Sequence, residues 1–427
     1  MTRKIPAAGI NLFQLIYILI REYEEKSGTK ALNLSLGNPD LIPFKEVREF
    51  KSRIQLKTDY DLHTYAEDKN LNQFCEGMIR AFTGVELSKH AHLRATPIAG
   101  IKTATAILPL ACGLHLKGRG EFHVVTHLPA YDVMGTWSSS YLGSNRIVWP
   151  LSSEDGMAMK MDRLQEALKK AGVERPDLIF VIRPGNPAAR GASRQEWLDL
   201  IEFCQPRGIR LVNDGAYTTL RDVNSHDHVP LAQVAKDFPD LEWAELYSVS
   251  KSFSDPGARL GTMVGSREFI EDYTLIKGNT DSGPVPTMMA AYGELFSDEK
   301  LTRRMLDDLY RIYQARLDYL VPRLKKAGLR PACETTAGFF TLWQTPDFAF
   351  GINLVEESAN RKVTKSELFN RLVIERTGVV GVHFQGPALG RAAPESFIRY
   401  AVCTDVLDPE FQVRLDAALI QVEPRYL

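Results

Sequence analysis

Short apolar runs alternate with longer stretches in which apolar residues fall three and four apart, and this rhythm runs through the first two-thirds of the chain. Residues 121–126 (EFHVVT), 178–182 (LIFVI), 209–212 (IRLV) and 245–249 (ELYSV) are short and apolar enough for buried strands. Met161–Ala171 and Arg194–Cys204 carry the period of amphipathic helices. Such alternation predicts an α/β fold, a mostly parallel central sheet with helices on both faces. After Pro284 and Pro286 the pattern changes. Residues 299–327 read as one long charged helix, and 338–343 and 397–402 as strands with a helix at 365–375 between them. The expected organisation is a large domain over residues 51–295, then a linking helix and a smaller α+β domain over 296–427. The first 50 residues are expected to pack with the small domain. A chain of 427 residues exceeds the size at which one core keeps growing, which agrees with that division.

Composition narrows the function classes. Lys and Arg number 52 against 53 Asp and Glu, so no global field favours nucleic acid or an anionic membrane. Residues 10–20 (INLFQLIYILI) follow a basic start as a secretory signal would, yet run straight into charged residues without a small-residue cleavage site. They are also too short to span a bilayer, and are read as a helix buried against the body or a partner subunit. Cys75, Cys112, Cys204, Cys333 and Cys403 have no paired or metal-ligand spacing and read as reduced thiols, implying a cytoplasmic protein. Nor do the nine histidines form a metal-binding array; His226 and His228 read as part of a solvated loop.

The candidate chemistry lies at strand ends. In Ser248-Val249-Ser250-Lys251-Ser252-Phe253 a lysine follows a buried strand, where a lysine normally escapes to solvent. Desolvation and a cationic neighbour would lower its pKa and free the amine as a nucleophile, and Arg259 could supply that charge while gripping a phosphate. Asn186 sits in a Pro- and Gly-rich turn after one predicted strand, and Asp214 and Tyr217 follow the next. Ligands of open α/β sheets bind outside the carboxyl ends of strands, so these four side chains should meet in one crevice.

Taken together, these segments resemble the class I/II aminotransferases of pyridoxal-phosphate fold type I, over almost the whole chain. The resemblance implies pyridoxal 5′-phosphate as cofactor, with Lys251 as the Schiff-base lysine and proton shuttle. Ser248 and Arg259 match the family's phosphate ligands, and Gly100-Ile101-Lys102 the turn whose amides hold the phosphate at a helix N-terminus, here residues 103–116. Asp214 matches the partner of the pyridine nitrogen, and Tyr217 and Asn186 the contacts of the ring's phenolic oxygen. Arg399 matches the arginine that clamps the substrate α-carboxylate, with Asn186 beside it and Gly37 near that carboxylate. Tyr65 stands where the family has a tyrosine reaching the neighbouring subunit's cofactor, which implies a homodimer with shared active sites. The implied reaction is ping-pong transfer of an amino group between an α-amino acid and a 2-oxo acid, with no metal, nucleic acid or membrane involved.

Three segments depart from the family pattern. Leu128 stands where the first aromatic of a P-x-Y-P-x-Y segment stacks on the ring, leaving Leu128 or the Tyr131 region for that role. Asn186-Pro187-Ala188-Ala189-Arg190-Gly191 carries an extra residue, and residues 381–386 replace a Pro-Gly-Ser-type turn. A lyase, a decarboxylase or a biosynthetic enzyme on the same scaffold stays open, since fold does not fix function. A cofactor-sensing regulator is the remoter alternative, because nothing before the first motif fits a DNA-binding module.

Overall fold

The computed structural model describes residues 12–65, 68–388 and 393–427. Its centre is a seven-stranded sheet of β1 (Leu93–Ile98), β2 (His123–Leu128), β3 (Asn145–Pro150), β4 (Leu178–Ile182), β5 (Arg210–Asp214), β6 (Trp243–Ser248) and β7 (Gly261–Ser266). The strands lie in the order β1-β7-β6-β5-β4-β2-β3. β7 is antiparallel to both neighbours and the other pairs are parallel.

Both faces of the sheet are covered, as a parallel sheet requires. In β4, Leu178, Phe180 and Ile182 join the core on one face, while Ile179 and Val181 join the core on the other. The helices include α1 (Leu12–Ser27), α2 (Ile101–Ala111), α3 (Met161–Ala171), α4 (Arg194–Cys204), α5 (Glu299–Lys326) and α6 (Lys365–Thr377). Local chemistry fixes their ends. α4 opens on a capping box between Ser193 and Glu196, and α3 stops at Gly172 in the left-handed region.

A second sheet, β8 (Phe340–Gln344), β9 (Val382–Gln385) and β10 (Ser396–Ala401), is antiparallel in the order β9-β10-β8. α5 joins the two bodies of structure: Met305 and Leu306 pack in the first core, and Leu309, Tyr313, Leu317 and Leu320 in the core behind the second sheet. The N-terminal strand Leu32–Asn33 pairs with Val379–Val380, and Ala401 N–H donates to Leu34 O at 2.7 Å. Residues 35–40 are thereby laid against the end of β10, the strand that carries Arg399.

Met161–Ala171, Arg194–Cys204 and the long helix stand where the sequence pattern puts them. β2 lies two residues later than expected, because Glu121 is drawn into a turn in which Gly118 N–H donates to its Oε2. α2 begins at Ile101 and ends at Ala111; Gly113, at φ +87°, starts a separate 3₁₀ turn. α1 runs on through the charged residues to Ser27 and buries Ile16 and Leu19, but leaves Phe13, Tyr17 and Ile18 exposed. One face is thus buried against the body on this chain, and residues 10–11 lie outside the described part. His228 is 1 % exposed, a correction to the solvated-loop reading, whereas His226 is exposed. Its Nδ1 lies 3.3 Å from Ala192 N and its Nε2 3.4 Å from Thr218 Oγ1, so the loop folds inward there. Among the described residues, no helix is long and apolar enough to cross a membrane, and no cluster of three or more His, Cys, Asp and Glu could hold a metal.

Candidate active site

A cavity of about 780 Å³, part of it open to solvent, lies at the carboxyl ends of β4, β5 and β6. Its lining includes Ile101, Lys102, Asn186, Asp214, Tyr217, Ser248, Lys251 and Arg259. Gly37, Gly100 and Arg399 adjoin it through contacts with those residues. Tyr65 does not line it and is 78 % exposed on this chain.

Asp214 ends β5, where Ala216 N–H donates to its Oδ1 at 3.0 Å. Burial pushes its carboxyl up to about 6, and buried Glu245 behind the sheet adds to that. Tyr217 packs edge-on against Phe339 and Phe340, and its hydroxyl is 3.4 Å from Asn186 Nδ2. Asn186 uses its other side-chain atom as well: Oδ1 accepts from Arg399 Nη1 at 2.8 Å. Arg399 is 2 % exposed, donates from Nη2 to Ser35 O at 2.6 Å and lies 4.2 Å from the Phe340 ring centre. Its Nε has no partner. Burial lowers its pKa to about 10, so it stays charged at neutral pH.

Ser248 caps a short helical turn, Val249–Ser252, with its Oγ accepting from Ser250 N–H at 3.1 Å. That turn swings Lys251 back over the sheet edge, where Nζ donates to Gly37 O at 2.6 Å. Burial lowers the lysine's pKa to about 8, with Arg399 and Arg259 pushing the same way. Arg259, itself left-handed at φ +50°, donates to Pro256 O and Ala99 O at 3.1 and 3.3 Å. Gly100, at φ +93°, caps α2, whose first amides have no acceptor within the helix. A Cβ there would run into Arg259 Nη2. Gly100→Ala is therefore expected to push Arg259 aside and weaken anion binding at this end of the cavity by about tenfold or more, read as phosphate or cofactor affinity.

Tyr131 lines the cavity and Leu128 does not. The aromatic ring on this wall therefore comes from three residues after the position that the family pattern suggests. Tyr131 N–H donates to Asn186 O at 2.8 Å, and Lys102 Nζ is 5.3 Å from its ring centre. Thr105, Ala216, Ser250 and Pro256 also line the cavity. Thr105 could have been found from Ile101, four residues earlier on the same helix face; the others depend on loop paths. The extended loop after Asn186 is tied down, with Ala189 O accepting from Thr336 and Ala337 N–H and Ala188 O from Cys333 Sγ. One carboxylate on the floor and several cations around it make the cavity a receiver of anionic ligands.

The pattern defining aminotransferase class I and II matches residues 29–411. The LL-diaminopimelate aminotransferase of Syntrophobacter fumaroxidans is 27 % identical over 400 residues, covering 92 % of each chain. The aspartate aminotransferase of Thermus thermophilus with maleate superposes with a TM-score of 0.73 at 18 % identity, covering 99 % of this chain and 98 % of that one. N-succinyldiaminopimelate aminotransferase from Mycobacterium tuberculosis does so with a TM-score of 0.70, also at 18 % identity, covering 96 % and 100 %. The two superpositions establish the fold alone. The family match spans both sheets and every element around the cavity, and the chain belongs to the class I and II aminotransferases.

Proposed function

We propose that the cavity binds pyridoxal 5′-phosphate and that the enzyme moves an amino group between an α-amino acid and a 2-oxo acid by a ping-pong mechanism. The observation that carries this reading is a partly buried carboxylate and a desolvated lysine facing one cavity that also has cationic groups. The donor set fits the cofactor. Asp214 suits a protonated ring nitrogen, and Tyr217 with Asn186 suits the ring's phenolic oxygen. Ser248, Arg259 and the amides of Gly100, Ile101 and Lys102 suit the phosphate, at a helix N-terminus and in a cradle that a Cβ at Gly100 would fill. Tyr131 supplies an aromatic ring to the cavity wall. Pyridoxal 5′-phosphate supplies, when bound, an aldehyde and an electron-accepting ring.

Asp214, once paired with a cation, is held ionised and keeps the ring nitrogen protonated. Lys251 Nζ, neutral near its lowered pKa, would take the substrate's Cα proton and deliver it to the cofactor carbon that bore the aldehyde, and would run the same transfer backwards with the second substrate. Arg399 is oriented by Asn186 and Ser35 O. Its free Nε and exchangeable Nη contacts leave it able to take a substrate α-carboxylate and to fix the bond to be broken. Tyr65, exposed here, is available to the cofactor site of a second copy, which is the homodimer reading.

The lysine titration sets a pH dependence. Neutral amine increases as pH rises through about 8, not through 10.5, so capture of the cofactor aldehyde should speed up with pH and level off just above 8. A rate still rising steeply at pH 10 would contradict the desolvated lysine. Steady-state rates with LL-diaminopimelate, aspartate and a panel of other amino acids, each against several 2-oxo acids, test the reaction itself. Parallel double-reciprocal lines are expected for the productive pair, and converging lines would remove the ping-pong assignment.

A further inference from the structure

We propose that His127 is a positioning residue of this site: its imidazole, wedged where β2 and β4 part, sets the spacing of the loops that carry Tyr131 and Asn186. The inference rests on the cofactor reading above.

The β2–β4 ladder holds Val124 opposite Leu178, Val125 opposite Ile179 and Thr126 opposite Phe180, and goes no further. Beyond it the two chains diverge into the loops that flank the cavity, and each backbone polar group there needs a new partner. The buried imidazole of His127, 3 % exposed, supplies two. Ile182 N–H donates to Nε2 at 3.1 Å, and Nδ1 lies 3.2 Å from Pro129 O. A carbonyl only accepts, so Nδ1 carries the proton; Nε2 receives an amide N–H, so it is bare. The two contacts together specify a neutral ring in one tautomer, and burial, then the nearby Arg183 and Arg146, oppose a second proton.

Two residues beyond Pro129, Tyr131 N–H closes the gap again on Asn186 O at 2.8 Å. The loops are thus laced at two levels, and Asn186 in turn holds Arg399 and the Tyr217 hydroxyl. A shift at His127 therefore reaches the aromatic wall, the carboxylate-binding arginine and the tyrosine together. An apolar residue of equal size would fill the space and leave Ile182 N–H and Pro129 O buried without partners.

The test compares His127→Phe, His127→Gln and, as a control for general destabilisation, Leu164→Ala in the core under α3, all loaded with pyridoxal 5′-phosphate. The readouts are kcat and the circular dichroism of the bound cofactor, which reports how the ring is seated. His127→Phe is expected to lose on the order of tenfold or more in kcat and most of the dichroic band, because small displacements at a reacting centre cost large factors in rate. His127→Gln, whose amide oxygen can accept from Ile182 N–H, should recover most of both. A His127→Phe enzyme that matches the Leu164→Ala control in both readouts would overturn the proposal. Should the Phe variant not fold, amide exchange in the wild type decides: a protected Ile182 N–H is expected, and rapid exchange there would sink the lacing. A wild type with no lysine-dependent absorption band would instead fault the cofactor reading, which the Ile182 measurement does not touch.

Discussion

Lys251→Ala is expected to lower kcat/KM by roughly four orders of magnitude or more, since it removes both the covalent anchor for the aldehyde and the proton carrier at Cα. Binding should suffer much less. Ser248, Arg259 and the α2 amides are untouched, so pyridoxal 5′-phosphate should still associate, without the lysine-dependent absorption. Folding should be unimpaired, because the wild-type lysine is itself uncomfortable: burial holds it near 8 instead of 10.5. Stopped-flow single-turnover kinetics check the prediction. A variant within tenfold of wild type would mean that another group carries the proton.

Asp214→Asn should separate stability from activity. Burial pushes the carboxyl up to about 6, against 3.8 when unperturbed. A group raised in the folded state favours folding below its unfolded pKa and loses that contribution as pH rises through its folded one. The empty variant should therefore be more stable than wild type above about pH 6, by on the order of 2 kcal/mol, discounted from about 1.4 per pKa unit because the cavity opens to water. The difference should vanish below about pH 4. Activity goes the other way. A neutral amide cannot hold the ring nitrogen protonated, and turnover should fall by about a hundredfold or more. Thermal melts of the empty proteins at pH 4 and pH 8, beside kcat of the loaded ones, check both halves. An Asn variant that is less stable at pH 8 would contradict the strained carboxylate.

Much of this was legible in the sequence, and for identifiable reasons. The central strands show as apolar runs because a doubly covered sheet buries both faces of each strand. Asn186, Asp214, Tyr217 and Lys251 could be placed together because each follows such a run, and parallel strands deliver their carboxyl ends to one edge. What the pattern hid depends on loop paths. Tyr131 and Leu128 are both plausible wall residues in one dimension, and only the turn through Pro129 shows which one faces the cavity. His228 lies in a polar stretch with every mark of a solvated loop, yet folds under Ala192 and Thr218. His127 sits inside an apolar strand, where nothing distinguishes a packed ring from one that bridges to the neighbouring strand's Ile182 N–H. The contacts of Ser35 and Gly37 with Arg399 and Lys251 span more than 200 residues, and no local pattern reports them.

Capture of pyridoxal 5′-phosphate is proposed for Lys251, which lines the same cavity as Asp214. Its most direct test is to load the protein, record the visible spectrum, reduce with borohydride and map the attachment by peptide mass spectrometry. One cofactor is expected on the peptide containing Lys251, with an unreduced band that an amino acid removes and a 2-oxo acid restores. Attachment at Lys102 or elsewhere, or no band that depends on Lys251, would contradict it.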